Sequence, residues 1–456
     1  MIKLIYRIES DYMSKKRMLI VTSVTLSVVT ISLGIVKLYQ TYALSNYIGT
    51  VTDTGIDVYI NDDSYASIPA NGSSNVYYML TNTNPGTVKY GVAYQTTSGV
   101  TVKVYDTSED PATGTIEEND KKYIKLHLEN KNSTNKTIEL STVLGYENGG
   151  DLVVPSGVTL VTDTYTPPPT AAEYITKLYT TASKTTVTNN SITYNTAPSV
   201  SLMNDRLGGT TTDLDGGNIR YYGASPNNYI YFNCSDYSNQ TSSTCETWRI
   251  IGVFDGKLKL IRGSQIGTYS WDNKDTSTGA ESNFGKNDWT TARLMKLLNP
   301  SDYYTTDSND NNLGQGLYYN SASGKCYSGQ NNATVDCNFT STGIKNDITR
   351  NMIAETTYNL GGWNSNTVYP NLMYEKERGT TVYTGRPTTP WTGKIALAYT
   401  SDYGYAADLN QCKDKTLYDY NNSTCTSNNW MKAIITNNGS NSGWLLTPYC
   451  STSSNV

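Results

Sequence analysis

The chain has 456 residues, a net charge of −5, a single histidine and only 16% charged residues. That length accommodates two or three domains. The mild acidity offers no basic footprint for nucleic acid, and one lone His127 excludes His-dependent triads, Cys–His dyads and multi-histidine metal sites.

Residues 18–36, MLIVTSVTLSVVTISLGIV, form an uncharged run just long enough to span a bilayer. Lys15, Lys16 and Arg17 precede it and place the N-terminus inside and the bulk of the chain outside. An uncleaved anchor is expected, so residues 1–46 read as cytoplasmic tail and transmembrane segment of a single-pass membrane protein. The alternative is a signal peptide cleaved after Ala43, which would release the rest. Met13 opens the signal-like MSKKRMLIV and is a second candidate start.

Residues 47–162 read as all β. Ile56, Val58 and Ile60 alternate with polar or tyrosine positions, as do Val76, Tyr78 and Leu80, Val88, Tyr90 and Val92, and Val100, Val102 and Val104. Ile124, Leu126 and Leu128 follow, then Ile138, Leu140 and Val143. About seven short strands of period two, separated by Asn/Gly/Pro turns, predict an immunoglobulin-like sandwich. His127 lies on the polar face of one of these strands, with Lys125 and Glu129, and is expected to be exposed. Tyrosine outnumbers phenylalanine 39 to 4. Its ring buries while its hydroxyl stays wet, which suits thin β structure.

Residues 163–170 contain Pro167-Pro168-Pro169, a stiff spacer. The second domain, 171–456, opens with Ile175, Leu178, Tyr179 and Ala182 at helical spacing. The polar stretch from there to about residue 223 carries no assignment beyond a turn of helix in LMNDRLGG. YIYFN (229–233) reads as a strand. Thr247 to Arg262, TWRIIGVFDGKLKLIR, reads as a hairpin about Asp255-Gly256. Trp248 and Ile250 are expected in the core. Asn287-Asp288 can cap a helix through WTTARLMKLL, which Asn299-Pro300 ends. Ile344, Ile348 and Met352 suggest another helix, and KIALAY (394–399) and GWLLTP (443–448) short buried strands.

Cysteine spacing is the most specific signal here. Cys234 and Cys245, Cys326 and Cys337, and Cys412 and Cys425 each enclose a polar, turn-rich insert. Outside the membrane this predicts three local disulfides clipping loop bases, with Cys450 left over. No Cys-x-x-Cys occurs, so zinc and redox chemistry are not expected, and no metal or other cofactor is assigned. Residues 307–312, DSNDNN, alternate oxygen ligands but lack the glycine and glutamate of a Ca²⁺ loop, and read as a solvated turn. All seven tryptophans fall in the second domain, mostly as core. Trp271, Asp272 and Trp363 have loop-like contexts and are the candidates for a ligand surface.

The series NNYIYFN, TWRIIGVFDGKLKLIR, NDWTTARLMKLLNP, WTGKIALAYTSDYGYA and NSGWLLTPY, in this order, resembles a family of uncharacterised extracellular domains common in gut Firmicutes. The likeness covers roughly residues 171–450. It implies a loop-rich α+β domain of the C-type-lectin-like kind shared with formylglycine-generating enzymes. The family usually continues beyond TPY with further strands, so the chain reads as C-terminally truncated, which would account for Cys450. The first β domain resembles the immunoglobulin-like modules of such surface proteins. The resemblance transfers no catalytic residue, since the cysteines form local loop pairs here instead of a reactive pair.

The expected function is therefore non-enzymatic: a bacterial cell-surface recognition or adhesion domain on a β-sandwich stalk, binding glycan or another surface protein. One alternative is an extracellular enzyme, glycosidase-like, using paired carboxylates among Asp272, Asp288, Glu375 and Glu377. Another is a structural cell-envelope spacer.

Overall fold

A computed structural model describes residues 44–50, 65–82, 86–146, 152, 154–272, 285–304, 316–326, 335–363, 368–413, 415–435 and 443–448. The apolar run 18–36, the Ala43 site, Ile56 to Ile60, residues 307–312 and Cys450 all lie outside these. Among the described residues no helix is long and apolar enough to cross a membrane. The structure is mostly β and divides into two compact units at Thr166/Pro167.

Among its described residues the first unit holds ten strands: β1 (Leu44–Thr50), β2 (Tyr65–Ile68), β3 (Gly72–Asn82), β4 (Val88–Gln95), β5 (Val100–Tyr105), β6 (Thr113–Ile116), β7 (Lys121–Asn130), β8 (Lys136–Tyr146), β9 (Val158–Leu160) and β10 (Thr164–Tyr165). One sheet runs β1-β3-β7-β5-β10 and the other β2-β8-β4-β6, with β9 also on β4. The apolar alternation sets which face is buried. Tyr78, Leu80, Tyr90, Ile124, Leu126, Leu128, Ile138 and Leu140 all enter one core between the sheets. Thr164 and Tyr165, expected in the linker, form β10, which pairs in parallel with β5 and belongs to this unit.

His127 departs from expectation. It does share the polar face with Lys125 and Glu129, yet only 5% of its surface is exposed. Tyr165 covers it, stacked at 3.6 Å between ring centroids.

The second unit begins with α1 (Ala171–Thr181), whose Thr170 and Glu173 form a reciprocal capping box. Its buried residues Ala172, Ile175 and Tyr179 pack on a seven-stranded sheet. The stretch left without assignment supplies four of those strands: β11 (Thr185–Asn189), β12 (Ile192–Ala197), β13 (Leu202–Asn204) and β14 (Ile219–Tyr221). The missed signal was a turn. Asn190 and Ser191 both have positive φ, 44° and 65°, so this pair closes the β11–β12 hairpin as Asn-Gly would.

Next come β15 (Tyr229–Phe232), β16 (Glu246–Phe254) and β17 (Lys257–Arg262). Asp255 and Gly256, at φ 48° and 70°, make the expected hairpin turn. A register shift at Ile251 splits β16. Because of it Ile250 faces the cluster under α1, while Ile251 faces a second cluster around Trp430. A side chain at Gly252 would collide with the Ile219 carbonyl, so glycine is needed where β14 meets the bulge. Ile250 is core as expected. Trp248 is only half-buried, its Nε1 donating to Glu246.

Four helices complete what the site needs: α2 (Arg293–Leu298), α3 (Asp347–Met352), α4 (Pro370–Glu377) and α5 (Thr400–Tyr405). α2 starts later than the Asn287-Asp288 cap predicts, because Asp288 spends its side chain on the backbone and hydroxyl of Thr290 in a turn. KIALAY and GWLLTP are not strands. They lie side by side with one backbone bond, Leu446 N to Ala398 O at 2.9 Å. Ile348 and Met352, although at helical spacing, are exposed.

Candidate functional site

Trp271 and Asp272 are buried, contrary to a place on an open ligand surface. Their chemistry accounts for it. Asp272 Oδ2 accepts from Lys286 N at 2.8 Å, and Trp271 Nε1 donates to the Lys286 carbonyl at 3.1 Å. Asp272 Oδ1 also accepts from Arg293 N at 3.2 Å, and the Trp271 carbonyl accepts from Leu294 N at 2.9 Å. A carboxylate at the first N–H groups of α2 satisfies donors that no helical carbonyl reaches. The pair therefore joins Lys286 to the start of α2.

Four of the seven tryptophans form a continuous chain that includes Trp271. Ring centroids run Trp444 to Trp271 at 5.9 Å, Trp271 to Trp289 at 5.4 Å, Trp289 to Trp391 at 5.9 Å and Trp391 to Tyr358 at 5.7 Å. Two of these contacts, Trp444–Trp271 and Trp289–Trp391, are edge-to-face, a geometry that favours such clusters beyond their buried area. Trp444 is the exposed one, at 43%, and its Nε1 is held by the Tyr269 carbonyl at 3.0 Å. Nothing in its sequence context separated it from the core tryptophans. Trp363 is half-buried, with the Lys376 ammonium 4.8 Å from its ring and its backbone N–H donating to the Pro448 carbonyl at 3.3 Å. Segment 443–448 thus links Trp444 at one end with Trp363 at the other.

Thr447 ties that segment to a buried polar network. Its hydroxyl donates to Glu377 Oε1 at 2.6 Å, and it accepts from Thr400 N at 2.9 Å. Glu377 also takes Ser401 N at 2.9 Å, the Ser401 hydroxyl, and Arg378 Nη1 at 3.0 Å. Burial pushes its carboxyl above the ordinary value even so, against the pull of Arg378 and the hydroxyls. Deeper still, Arg220 on β14 donates to Asp205 at 2.6 Å and to Asp402 at 2.8 Å, and Lys259 on β17 reaches Asp402 at 2.6 Å. Burial alone would raise the Asp402 carboxyl; Lys259 and Arg220 outweigh it and hold it well below the carboxylate range. Lys259 moves down, since burial costs its ammonium more than Asp402 returns. The rings of Phe254, Tyr405 and Tyr374 wall in the Arg220 guanidinium.

The four acids considered for a hydrolytic pair are thereby accounted for separately. Asp272 caps α2, Asp288 makes its turn, Glu377 is fully buried in the network, and Glu375 is exposed on α4. A shallow groove of about 510 Å³ lies on the first unit beside Gln95, Glu139 and Ser141, and another of about 310 Å³ beside α1; neither contains any of these acids. Among the described residues no cluster of three or more His, Cys, Asp or Glu side chains could hold a metal ion.

All three predicted cysteine pairs are bonded: Cys234–Cys245, Cys326–Cys337 and Cys412–Cys425. The first loop is further fastened by Asn346 Nδ2 to the Cys234 carbonyl at 2.7 Å, next to α3. Cys326 sits in the same apolar cluster as Trp271, Trp289 and Leu317. Set against known protein families, curated proteins and solved structures, the chain matches none of them.

Proposed function

We propose that the chain is an exported, membrane-anchored recognition protein without catalytic activity. Its first unit is read as an immunoglobulin-like module and its second as a C-type-lectin-like domain. One observation carries this reading. Three polar segments, 273–284, 305–315 and 327–334, are bracketed by residues of a single apolar cluster. Trp271 and Trp289 flank the first, Tyr304 and Leu317 the second, and Cys326 and Cys337 the third. Polar segments of this kind, whose flanking residues meet in one apolar cluster, are where binding residues are commonly carried. The disulfides favour an oxidising compartment, outside the cytoplasm. The burial and hydrogen bonding of Asp272 and Glu377 speak for structural roles over a hydrolytic one.

Trp444 is the aromatic surface beside this cluster, its ring orientation set by Tyr269 and Trp271. Stacking on a sugar ring is the chemistry such a fixed indole offers, so a glycan is the first ligand class to test. The oxidised protein, screened on a glycan array, should bind a discrete set. Trp444→Ala should weaken that binding about tenfold, equal to ~1.4 kcal/mol, while the domain stays folded by circular dichroism. Silence across the array would remove glycans as the ligand class, and binding indifferent to Trp444→Ala would remove this surface.

A further inference from the structure

His127, the chain's one histidine, has no part in the recognition reading. It lies at the middle of β7, in a row with Asn75 of β3 and Lys103 of β5. That row is on the face opposite Leu126 and Leu128, which fill the core. The ring stacked on His127 is Tyr165, with Tyr105 edge-on to the imidazole at 6.0 Å. Tyr165 lies nearly parallel to the imidazole, 9° between planes, and Tyr105 closes the edge at 4.9 Å from Tyr165. The backbone hold on this strap is the two-residue parallel pairing of β10 with β5, with Val104 N on the Asp163 carbonyl at 2.9 Å and Asp106 N on the Tyr165 carbonyl at 3.0 Å at its ends. Thr166 and the three prolines follow directly, so the strap is the last part of the first unit before the linker.

We propose that the His127–Tyr165 stack is an acid-released clasp, holding residues 163–166 on the sheet while the imidazole is neutral and freeing them when it is protonated. The groups facing the ring are few. Asn75 Oδ1 is 2.7 Å from Nδ1, so the neutral ring donates there, and Glu129 Oε1 is 3.4 Å from Nε2. Lys103 stands beside it on β5; Lys125, two residues along β7, has its ammonium 4.2 Å from the Tyr105 ring and 5.9 Å from that of Tyr77. Asp163 and Asp106 flank the strap. Burial lowers the His127 pKa, with Lys103 assisting and Glu129 opposing. The closed state therefore binds fewer protons than the open one. Closure is complete above the ordinary histidine value of about 6.5 and weakens as pH falls below it. Hydrating the new charge requires lifting Tyr165, because that ring is what excludes water. Release would lengthen the linker by up to about 3.5 Å for each freed residue.

Hydrogen exchange on the full chain in detergent, corrected for the intrinsic pH dependence of exchange, tests this directly. Protection of the Val104 and Asp106 amides should fall about fivefold or more between pH 7.5 and pH 5. His127→Phe keeps the stack without the titrating group, and its strap should be equally protected at both pH values. Tyr165→Ala should be open at both and supplies the reference for the released state. Unchanged protection of the wild type at pH 5, or a His127→Phe strap that opens with acid as the wild type does, overturns the proposal.

Discussion

Arg220→Met should destabilise the second unit by about 3–5 kcal/mol, the cost of leaving buried charges without their partner. Methionine fills much of the space among Phe254, Tyr374 and Tyr405, so the loss is not one of packing. What remains is Asp205 and Asp402, both essentially inaccessible to water, with their shared cation removed. Asp205 keeps the N–H groups of Leu207 and Asn218, and Asp402 keeps Lys259 and Tyr399 N. Neither set carries a charge placed between the two carboxylates. Lys259→Met, whose side chain is 21% exposed, should cost less, since Arg220 remains on Asp402. Adding Asp205→Asn to Arg220→Met should recover part of the loss, because the stranded Asp205 charge goes with it while Asp402 keeps Lys259. Denaturant midpoints of the three variants separate these cases, and an Arg220→Met shift below about 1 kcal/mol would show that the network is not what joins α5 to the sheet. The pH dependence has a defined sign. Asp402 titrates below its unfolded value, so its contribution is present above about pH 4 and is lost on acidification through the folded pKa.

The second large effect should come from the Cys412–Cys425 bridge. Both sulfurs are buried beside Tyr420 and Ala407, and they close a loop of 13 residues. Replacing both cysteines with alanine should lower stability by about 3 kcal/mol on the chain-entropy account. The Cys234–Cys245 loop should tolerate the same change better. Asn346 on the Cys234 carbonyl and Lys345 on the Thr244 carbonyl hold it from outside. Calorimetry of the two double variants compares them; equal losses would mean that these external bonds carry no weight.

Much of the first unit was legible because period-two alternation reports directly on a two-faced sheet. Tyr78, Leu126 and Ile138 went where the pattern placed them. The cysteine pairs were legible for a similar reason, since local spacing limits which partners can meet. His127 was misjudged because its cover, Tyr165, is 38 residues away in sequence (165 − 127) and looked like linker. The β11–β12 hairpin was missed because Asn190-Ser191 is a less familiar turn than Asp255-Gly256, although both adopt positive φ. The largest gap was the polar network. Arg220 and Asp402 are 182 residues apart, and each looks like an ordinary strand or helix charge alone. Trp271 and Asp272 misled in the opposite direction. Their Tyr-Ser-Trp-Asp-Asn context is loop-like, but the Lys286 backbone needs an acceptor and a donor there and the core a ring.

Central to this account is an exported domain whose loop-flanking cysteines are paired in oxidising surroundings. Alkylating the protein in freshly lysed native cells, then mapping its unreduced peptides by mass spectrometry, tests that claim most directly. The account predicts three linked pairs, Cys234–Cys245, Cys326–Cys337 and Cys412–Cys425, with none of these six thiols alkylated. Quantitative alkylation of Cys326 or Cys412 in that material would contradict it.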